Sequence, residues 1–256
     1  MATLFAANWK MHHGPERAAA FARAFKELTS PDPDRSIWFF PPATAIQTLA
    51  NEFGERPDVA VGAQDVHWEP SGAYTGALSI PLAQEAGATV ALVGHSERRH
   101  VFHETDEETG RKVTALLDNG MRPVLCVGEL VDERERGETE VVVQRQLDAG
   151  LGGVAEEDLS RLVIAYEPVW AIGTGKNATP DDAASVHAFL RSLIVARGGP
   201  EDIAILYGGS VKPGNVLGLL AEDEIDGVLV GGASLTPESW TEIVGVGGGG
   251  SADKLS

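Results

Sequence analysis

Eight short apolar runs separated by stretches of helical pattern constrain this chain more than any other feature. The runs are Thr3–Ala7, Ser36–Phe40, Val59–Ala63, Thr89–Val93, Arg122–Val127, Arg161–Ala165, Ile203–Tyr207 and Gly227–Val230. Most are continuously apolar, not alternating, as strands of a parallel sheet must be when both faces are covered. Helical periodicity follows each in turn, over Pro15–Leu28, Thr44–Phe53, Pro81–Ala86, Asp106–Asn119, Glu138–Leu151, Pro180–Ala196, Asn215–Leu220 and Pro237–Val244. The sixth helix carries the clearest start signal: Thr179 as cap, Pro180 in the first turn, and Asp181 and Asp182 at the positive end. Repeated strand–helix units form an open doubly wound sheet or a closed barrel, and eight of them in 256 residues favour the closed parallel α/β barrel as a single domain. No break in composition marks a linker. Only Gly245–Ser256 is low in complexity, so residues 1–244 read as the domain and 245–256 as a glycine-rich tail.

Charge narrows the partners. A formal net charge of -18 repels nucleic acid and anionic membrane surfaces. An anionic substrate would therefore need a local arrangement that overrides the global field. The one cysteine, Cys126, excludes an internal disulfide and sits in the apolar run RPVLCV, where a small buried hydrophobe is the simpler reading than a reactive thiol. The opening MATLFAANWK brings a charge before any long apolar stretch, so neither a secretory signal nor a membrane span is expected, and the cytoplasm is the default location.

In a parallel α/β architecture, substrates bind beyond the carboxyl ends of the strands. The residues there include Asn8 and Lys10, Gln64 and Asp65, Gly94–Arg98, Gly128 and Glu129, Glu167, Gly208–Ser210 and Gly231–Ala233. A lysine at such a rim is ordinarily a snorkelling surface group. Lys10 differs in falling with Asn8 and Trp9 at the functional face. His95 has no second ligand at a familiar spacing, so a metal centre is not expected. Ser96 is a candidate cap for the turn Ser-Glu-Arg-Arg, with Glu97 and Arg98 as a bracing ion pair. Gly208-Gly209 and Gly231-Gly232 end the last two strands. Either pair alone could be a tight turn, but together they make the phosphate site this architecture often builds from backbone N–H groups. With Lys10, those amides can bind an anion on an acidic protein.

The chain resembles the triosephosphate isomerase family over nearly its whole length. The resemblance rests on AANWKM (Ala6–Met11), GAQDVHWEPSGAYTG (Gly62–Gly76), VGHSERR (Val93–Arg99), CVGE (Cys126–Glu129), AYEPVWAIGTGK (Ala165–Lys176), YGGSVKPGN (Tyr207–Asn215) and DGVLVGGASL (Asp226–Leu235). It implies a (β/α)8 TIM barrel that interconverts dihydroxyacetone phosphate and D-glyceraldehyde 3-phosphate with no metal or organic cofactor. By the same resemblance Glu167 is the proton-transfer base, a neutral His95 held by a helix N-terminus is the electrophile, Lys10 steadies developing negative charge, and Asn8 is a second polar contact. Glu97 matches an acid beside the centre whose part is either proton handling or ion pairing. Gly173, Ser210, Gly231 and Gly232 match phosphate-receiving positions. Gln64–Gly76 resembles the loop exchanged between the subunits of a homodimer, with Thr75 and Gly76 at the interface and Thr75 near Asn8 and Lys10 of the other copy. Trp68 and Tyr74 could instead pack that loop on its own barrel. His12 stands where the family more often has asparagine and His103 where it often has glycine, and neither touches the acid–base set.

AYEPVWAIGTGK reads as a lid. Pro168 stiffens its first hinge, Val169, Trp170, Ala171 and Ile172 are apolar to shut out water, Gly173, Thr174 and Gly175 let it move, and Lys176 ends it. A base that removes a weakly acidic C–H must touch it while donors face the oxygen where charge appears. Two rival readings explain less. Another barrel enzyme fits less well, since a Schiff-base aldolase would need a lysine at the end of a central strand and a glycosidase using Glu97 with Glu167 would leave the glycine pairs unexplained, and a phosphate-metabolite binding protein would not require Glu167 under a lid.

Overall fold

The computed structural model describes residues 2–171 and 178–247. Eight strands, β1 Thr3–Asn8, β2 Arg35–Phe40, β3 Val59–Ala63, β4 Val90–Val93, β5 Arg122–Val127, β6 Val163–Tyr166, β7 Ile205–Tyr207 and β8 Gly227–Val230, form a closed barrel in sequence order. Every neighbouring pair is parallel, and β8 closes on β1 with Leu4 opposite Gly227 and Ala7 opposite Val230. The surrounding helices are α1 Pro15–Leu28, α2 Ile46–Phe53, α3 Ile80–Glu85, α4 Ser96–Val101, α5 Asp106–Asp118, α6 Val131–Glu135, α7 Thr139–Leu151, α8 Pro180–Val195, α9 Pro213–Leu220 and α10 Pro237–Val244. A (β/α)8 barrel is thus the architecture.

All eight expected strands form. The sixth and seventh begin two residues later than the apolar pattern suggests. Arg161 belongs to a 3-10 turn over Glu156–Arg161, where its guanidinium bonds the Asp158 carboxylate and the Leu117 carbonyl. The short helices α4 and α6 have too few residues to show a periodicity. Thr179 caps α8 as expected, accepting from the Asp182 N–H at 3.1 Å while Asp182 returns the bond to Thr179 N at 3.3 Å. Pro213 at the first turn extends α9 forward from Asn215.

Two apolar layers follow from the period-two alternation of a strand. Leu4, Ala6, Trp38, Phe40, Val90, Leu92, Val124, Cys126, Val163, Ala165, Leu206 and Leu229 form a cluster separate from the larger one between sheet and helices. Alternation identifies that smaller cluster as the barrel interior. The outer cluster has an aromatic centre in which Phe39 stacks on Phe53 at 5.0 Å and meets Trp9, Phe21, Phe25 and Trp240 edge-on. The inward face, continued two residues beyond its last apolar member on each strand, positions chemistry: Ala6 leads to Asn8, Ala165 to Glu167, Leu206 to Gly208 and Leu229 to Gly231. Buried Cys126 is one of the interior hydrophobes, and burial pushes its thiol pKa up, away from reactivity. Among the described residues no helix is long and apolar enough to cross a membrane.

Candidate active site

A cavity of about 480 Å³ opens at the carboxyl ends of the strands, lined by Asn8, Lys10, His95, Glu167, Gly208–Lys212, Leu229 and Gly231–Ala233. The chain therefore brings together side chains from the ends of β1, β4 and β6 and the two glycine turns after β7 and β8.

Lys10 is held from all sides. Its backbone has φ 50, a left-handed conformation that disfavours a side chain by roughly 1–3 kcal/mol unless its surroundings fix it. Asn8 Oδ1 accepts from Lys10 N–H at 2.9 Å, and Gln64 Nε2 donates to the Lys10 carbonyl at 2.7 Å and to that of Phe40 at 2.8 Å. Lys10 Nζ donates to Glu97 Oε1 at 2.7 Å.

His95 precedes α4 and caps it: Nδ1 accepts the Glu97 N–H at 3.2 Å, so in the neutral ring the hydrogen sits on Nε2. Nε2 lies 2.9 Å from Glu167 Oε1. The cap is His95, not Ser96, which is the first helical residue. The expected Glu97–Arg98 pair also does not form. Consecutive helical side chains diverge by about 100°, and here Glu97 reaches Lys10 while Arg98 reaches Asp65 at 3.2 Å and Glu104 at 3.1 Å.

Glu167 is 2% exposed and follows β6, its N–H donating to the Val127 carbonyl at 2.8 Å. Ser96 N–H donates to its Oε2 at 2.9 Å. Two glycines make room for it: a Cβ on Gly128 would lie 1.7 Å from the Glu167 carbonyl oxygen, and one on Gly208 would lie 2.8 Å from Glu167 Cγ. Burial works to raise the Glu167 pKa, but His95 and the Ser96 N–H outweigh it and hold the carboxyl below its ordinary value. Burial likewise disfavours the His95 imidazolium, and the facing carboxylate outweighs it to hold the ring above its ordinary value. That influence lasts only while Glu167 faces Nε2. Apart from Glu167, burial, the Lys10 charge and the Glu97 N–H on Nδ1 favour the neutral ring, and the Glu97 carboxylate 3.8 Å from Nδ1 opposes them.

From Glu167 the chain passes through Pro168 into a 3-10 turn, Val169–Ala171. Glu129, fully buried after β5, accepts from Tyr166 Oη at 3.1 Å and Trp170 Nε1 at 2.9 Å, and its carbonyl accepts the Val169 N–H at 3.1 Å. Arg134 lies over the Trp170 ring at 4.4 Å and pairs with Asp182 of α8 at 3.2 Å. The remaining expected lid residues, Ile172, Gly173, Thr174, Gly175 and Lys176, lie outside the described residues, and with them the Gly173 amide.

On the phosphate side, Ser210 is half-buried at the cavity, its carbonyl held by Asn215 Nδ2 at 2.9 Å. Gly231 precedes a 3-10 turn, Gly232–Ser234, whose Ser234 carbonyl accepts the Trp9 indole N–H at 3.1 Å, tying this turn to the Lys10 end of β1. Among the described residues no three His, Cys, Asp or Glu side chains cluster as metal ligands.

Sequence reading placed Glu129 and Gln64 at the functional face without a task for either. The first ties down the segment after Glu167 and the second fixes Lys10. Both act through contacts between distant strands, which no local pattern records. Thr75 and Gly76 are exposed, on a loop where His67 stacks on Trp68 at 4.3 Å and meets Tyr74 at 4.1 Å.

Comparison with known proteins agrees with this geometry. The family model described as triosephosphate isomerase matches residues 3–246. A triosephosphate isomerase of Aquifex aeolicus is 46% identical over 246 residues, covering 95% of this chain and 99% of that protein. One from Carboxydothermus hydrogenoformans is 47% identical over 93% of this chain and 96% of its own length. One from Nitratidesulfovibrio vulgaris is 45% identical over 95% and 99%. With its barrel, its ordered motifs and its convergent carboxylate, imidazole and ammonium, the chain belongs to the triosephosphate isomerase family.

Proposed function

We propose that this chain is an aldose–ketose isomerase interconverting dihydroxyacetone phosphate and D-glyceraldehyde 3-phosphate through an enediolate. The observation that carries the reading is the convergence of Glu167, His95 Nε2 and Lys10 on one cavity whose far wall is two glycine turns.

In this reading the phosphate settles against Ser210, Gly231, Gly232 and the Gly173 amide, and the carbonyl end of the triose meets Asn8, Lys10 and His95. The substrate oxygens take the Nε2 hydrogen that Glu167 accepts in the free protein. Displaced from His95 and the Ser96 N–H, the carboxylate keeps its burial but loses the two contacts that most depressed its pKa, so it becomes a stronger base as it reaches the carbon. It removes a proton from one carbon and returns it to the next. His95 donates to the oxygen where charge develops, and Lys10 offsets that charge. Glu97 positions the Lys10 ammonium. Residues Pro168–Lys176 close over the substrate, with Glu129 holding the first hinge. The catalytic domain is residues 1–244, with 245–256 an appended tail.

A homodimer accompanies this reading. Tyr74 and Phe102 are 46% and 63% exposed, and a cavity of about 430 Å³ lined in part by Gln64, Trp68, Arg98, Phe102 and Lys112 has room for a few side chains from the tip of the Gln64–Gly76 loop of a second copy, with Thr75 near Asn8 and Lys10. A Thr75 variant that is a stable, fully active monomer would contradict the dimer. A cytoplasmic location fits the acidic charge and the single buried thiol.

The test of the reaction is incubation with dihydroxyacetone phosphate in D₂O, following aldehyde formation and deuterium at the exchanging carbon. Turnover with deuterium incorporation, abolished in Glu167→Gln, is the expected result. Tight binding without exchange in the unmutated protein would make it a binding module instead.

A further inference from the structure

The cavity has an electrostatic problem that its established parts leave unsolved. Its ionisable lining is Lys10, His95, Glu167 and Lys212. Lys10 is paired with Glu97, so those two charges offset each other. His95 is at most matched to Glu167. Without Lys212 the pocket would carry no unpaired cation on its described walls, in a protein of net charge -18, while the triose phosphate arrives with a charge of about -1.5 to -2.

We infer that Lys212 is the capture residue of this active site, steering the phosphate end of the substrate to the β7 and β8 turns. Lys212 stands between Val211 and Pro213 at the start of α9, exposed at the cavity rim. Its backbone is extended (φ -142, ψ 161), as the following proline requires, and its N–H donates to Asn215 Oδ1 at 2.7 Å. The same Asn215 donates through Nδ2 to the Ser210 carbonyl, so one amide fixes both the lysine's backbone and the phosphate turn. Among the described residues no carboxylate lies within 4.0 Å of the Lys212 ammonium. An exposed charge of this kind adds to the rate of encounter, not to the strength of the bound contact, because solvent screens it at close range. Its effect must therefore fall away with salt, since the Debye length shrinks from about 30 Å at 0.01 M to about 3 Å at 1 M.

The inference rests on the isomerase reading. Its test is steady-state isomerisation at ionic strengths of about 0.01 M and 1 M for the unmutated protein, Lys212→Gln, Lys212→Glu, Lys212→Arg and Lys26→Gln. Lys26, on α1 beside Glu52, controls for net charge. Lys212→Gln should lower kcat/KM about fivefold at low ionic strength with kcat unchanged, Lys212→Glu should lower it further, and Lys212→Arg should restore it. At high ionic strength the variants should converge, and Lys26→Gln should match the unmutated protein throughout. Turnover of D-glyceraldehyde, which lacks the phosphate, should not change in Lys212→Gln. An active unmutated protein with an indifferent Lys212→Gln overturns the inference alone. So does a loss that persists at high salt, appears in kcat, or is reproduced by Lys26→Gln. An unmutated protein with no isomerisation overturns the isomerase reading and takes this inference with it.

Discussion

The two poles of the site are built in opposite ways. At one pole, Lys10 has its N–H, its carbonyl and its ammonium each engaged by a different element, and Trp9 beside it is sealed by Phe21, Phe39 and the indole bond to Ser234. At the other, the Glu167 carboxylate bonds to Ser96 and His95, and the His95 hydrogen is one the substrate itself would claim. The first arrangement is fixed before substrate comes, so no reorganisation is needed when charge develops. In the proposed mechanism the second is a parked position, given up when substrate binds. A binding charge gains from immobility, whereas a base that must reach two carbons and then clear the way for product gains from having a second resting place.

The largest expected effect strikes the floor of the fixed pole. Phe39→Ala removes the centre of the aromatic cluster under β1 and β2 and should cost about 3–5 kcal/mol in stability by urea unfolding, with the surviving folded enzyme showing raised KM more than lowered kcat. A cost below about 1 kcal/mol would show that the cluster does not support Lys10.

Gly208→Ala attacks the moving pole. The added Cβ would fall 2.8 Å from Glu167 Cγ and 3.1 Å from the Tyr166 carbonyl oxygen, displacing the base by a fraction of an ångström or more. Misplacement of that order costs about 10²-fold in rate. We expect the loss in kcat, with an unaltered circular dichroism spectrum; unchanged kcat would mean that Glu167 has more latitude than its packing indicates.

Glu129→Gln is gentler, since the amide keeps one acceptor for Tyr166 Oη and Trp170 Nε1 but removes the charge that strengthens both bonds. The difference between charged and neutral acceptors is about 1 kcal/mol, so kcat or KM should shift by roughly fivefold. Identical steady-state constants would remove Glu129 from the hinge.

The poles also differ in how legible they were. The barrel could be read from eight apolar runs because each strand announces itself within its own residues. Lys10, His95 and Glu167 could be placed because strand ends are where this architecture puts chemistry. What could not be read was who holds them. Glu97 was assigned to its neighbour Arg98, whereas the helix turns it toward Lys10, 87 residues earlier in the chain. Ser96 had the composition of a cap, but His95 takes that place, because its ring nitrogen reaches the Glu97 N–H and Ser96 turns to Glu167. Gly128 could be placed only at a strand end and Gly208 only in a glycine pair fit for phosphate; their necessity is also the space they leave for the Glu167 backbone and side chain. Apart from the local His95 cap, each of these contacts exists only once the barrel closes, so no window of sequence contains it.

The central claim is that Glu167 is held as a weak base until substrate displaces it, and the pH dependence of the rate tests this most directly. The acid limb of kcat/KM reports the free enzyme, where His95 and the Ser96 N–H hold the carboxyl low; the acid limb of kcat reports the substrate complex, where burial remains and those contacts are gone. Measured on the same preparation, and with the substrate phosphate's own ionisation near pH ~6 divided out of kcat/KM, the limb in kcat should lie at higher pH than the limb in kcat/KM. Coincident limbs, or the reverse order, would contradict a parked base.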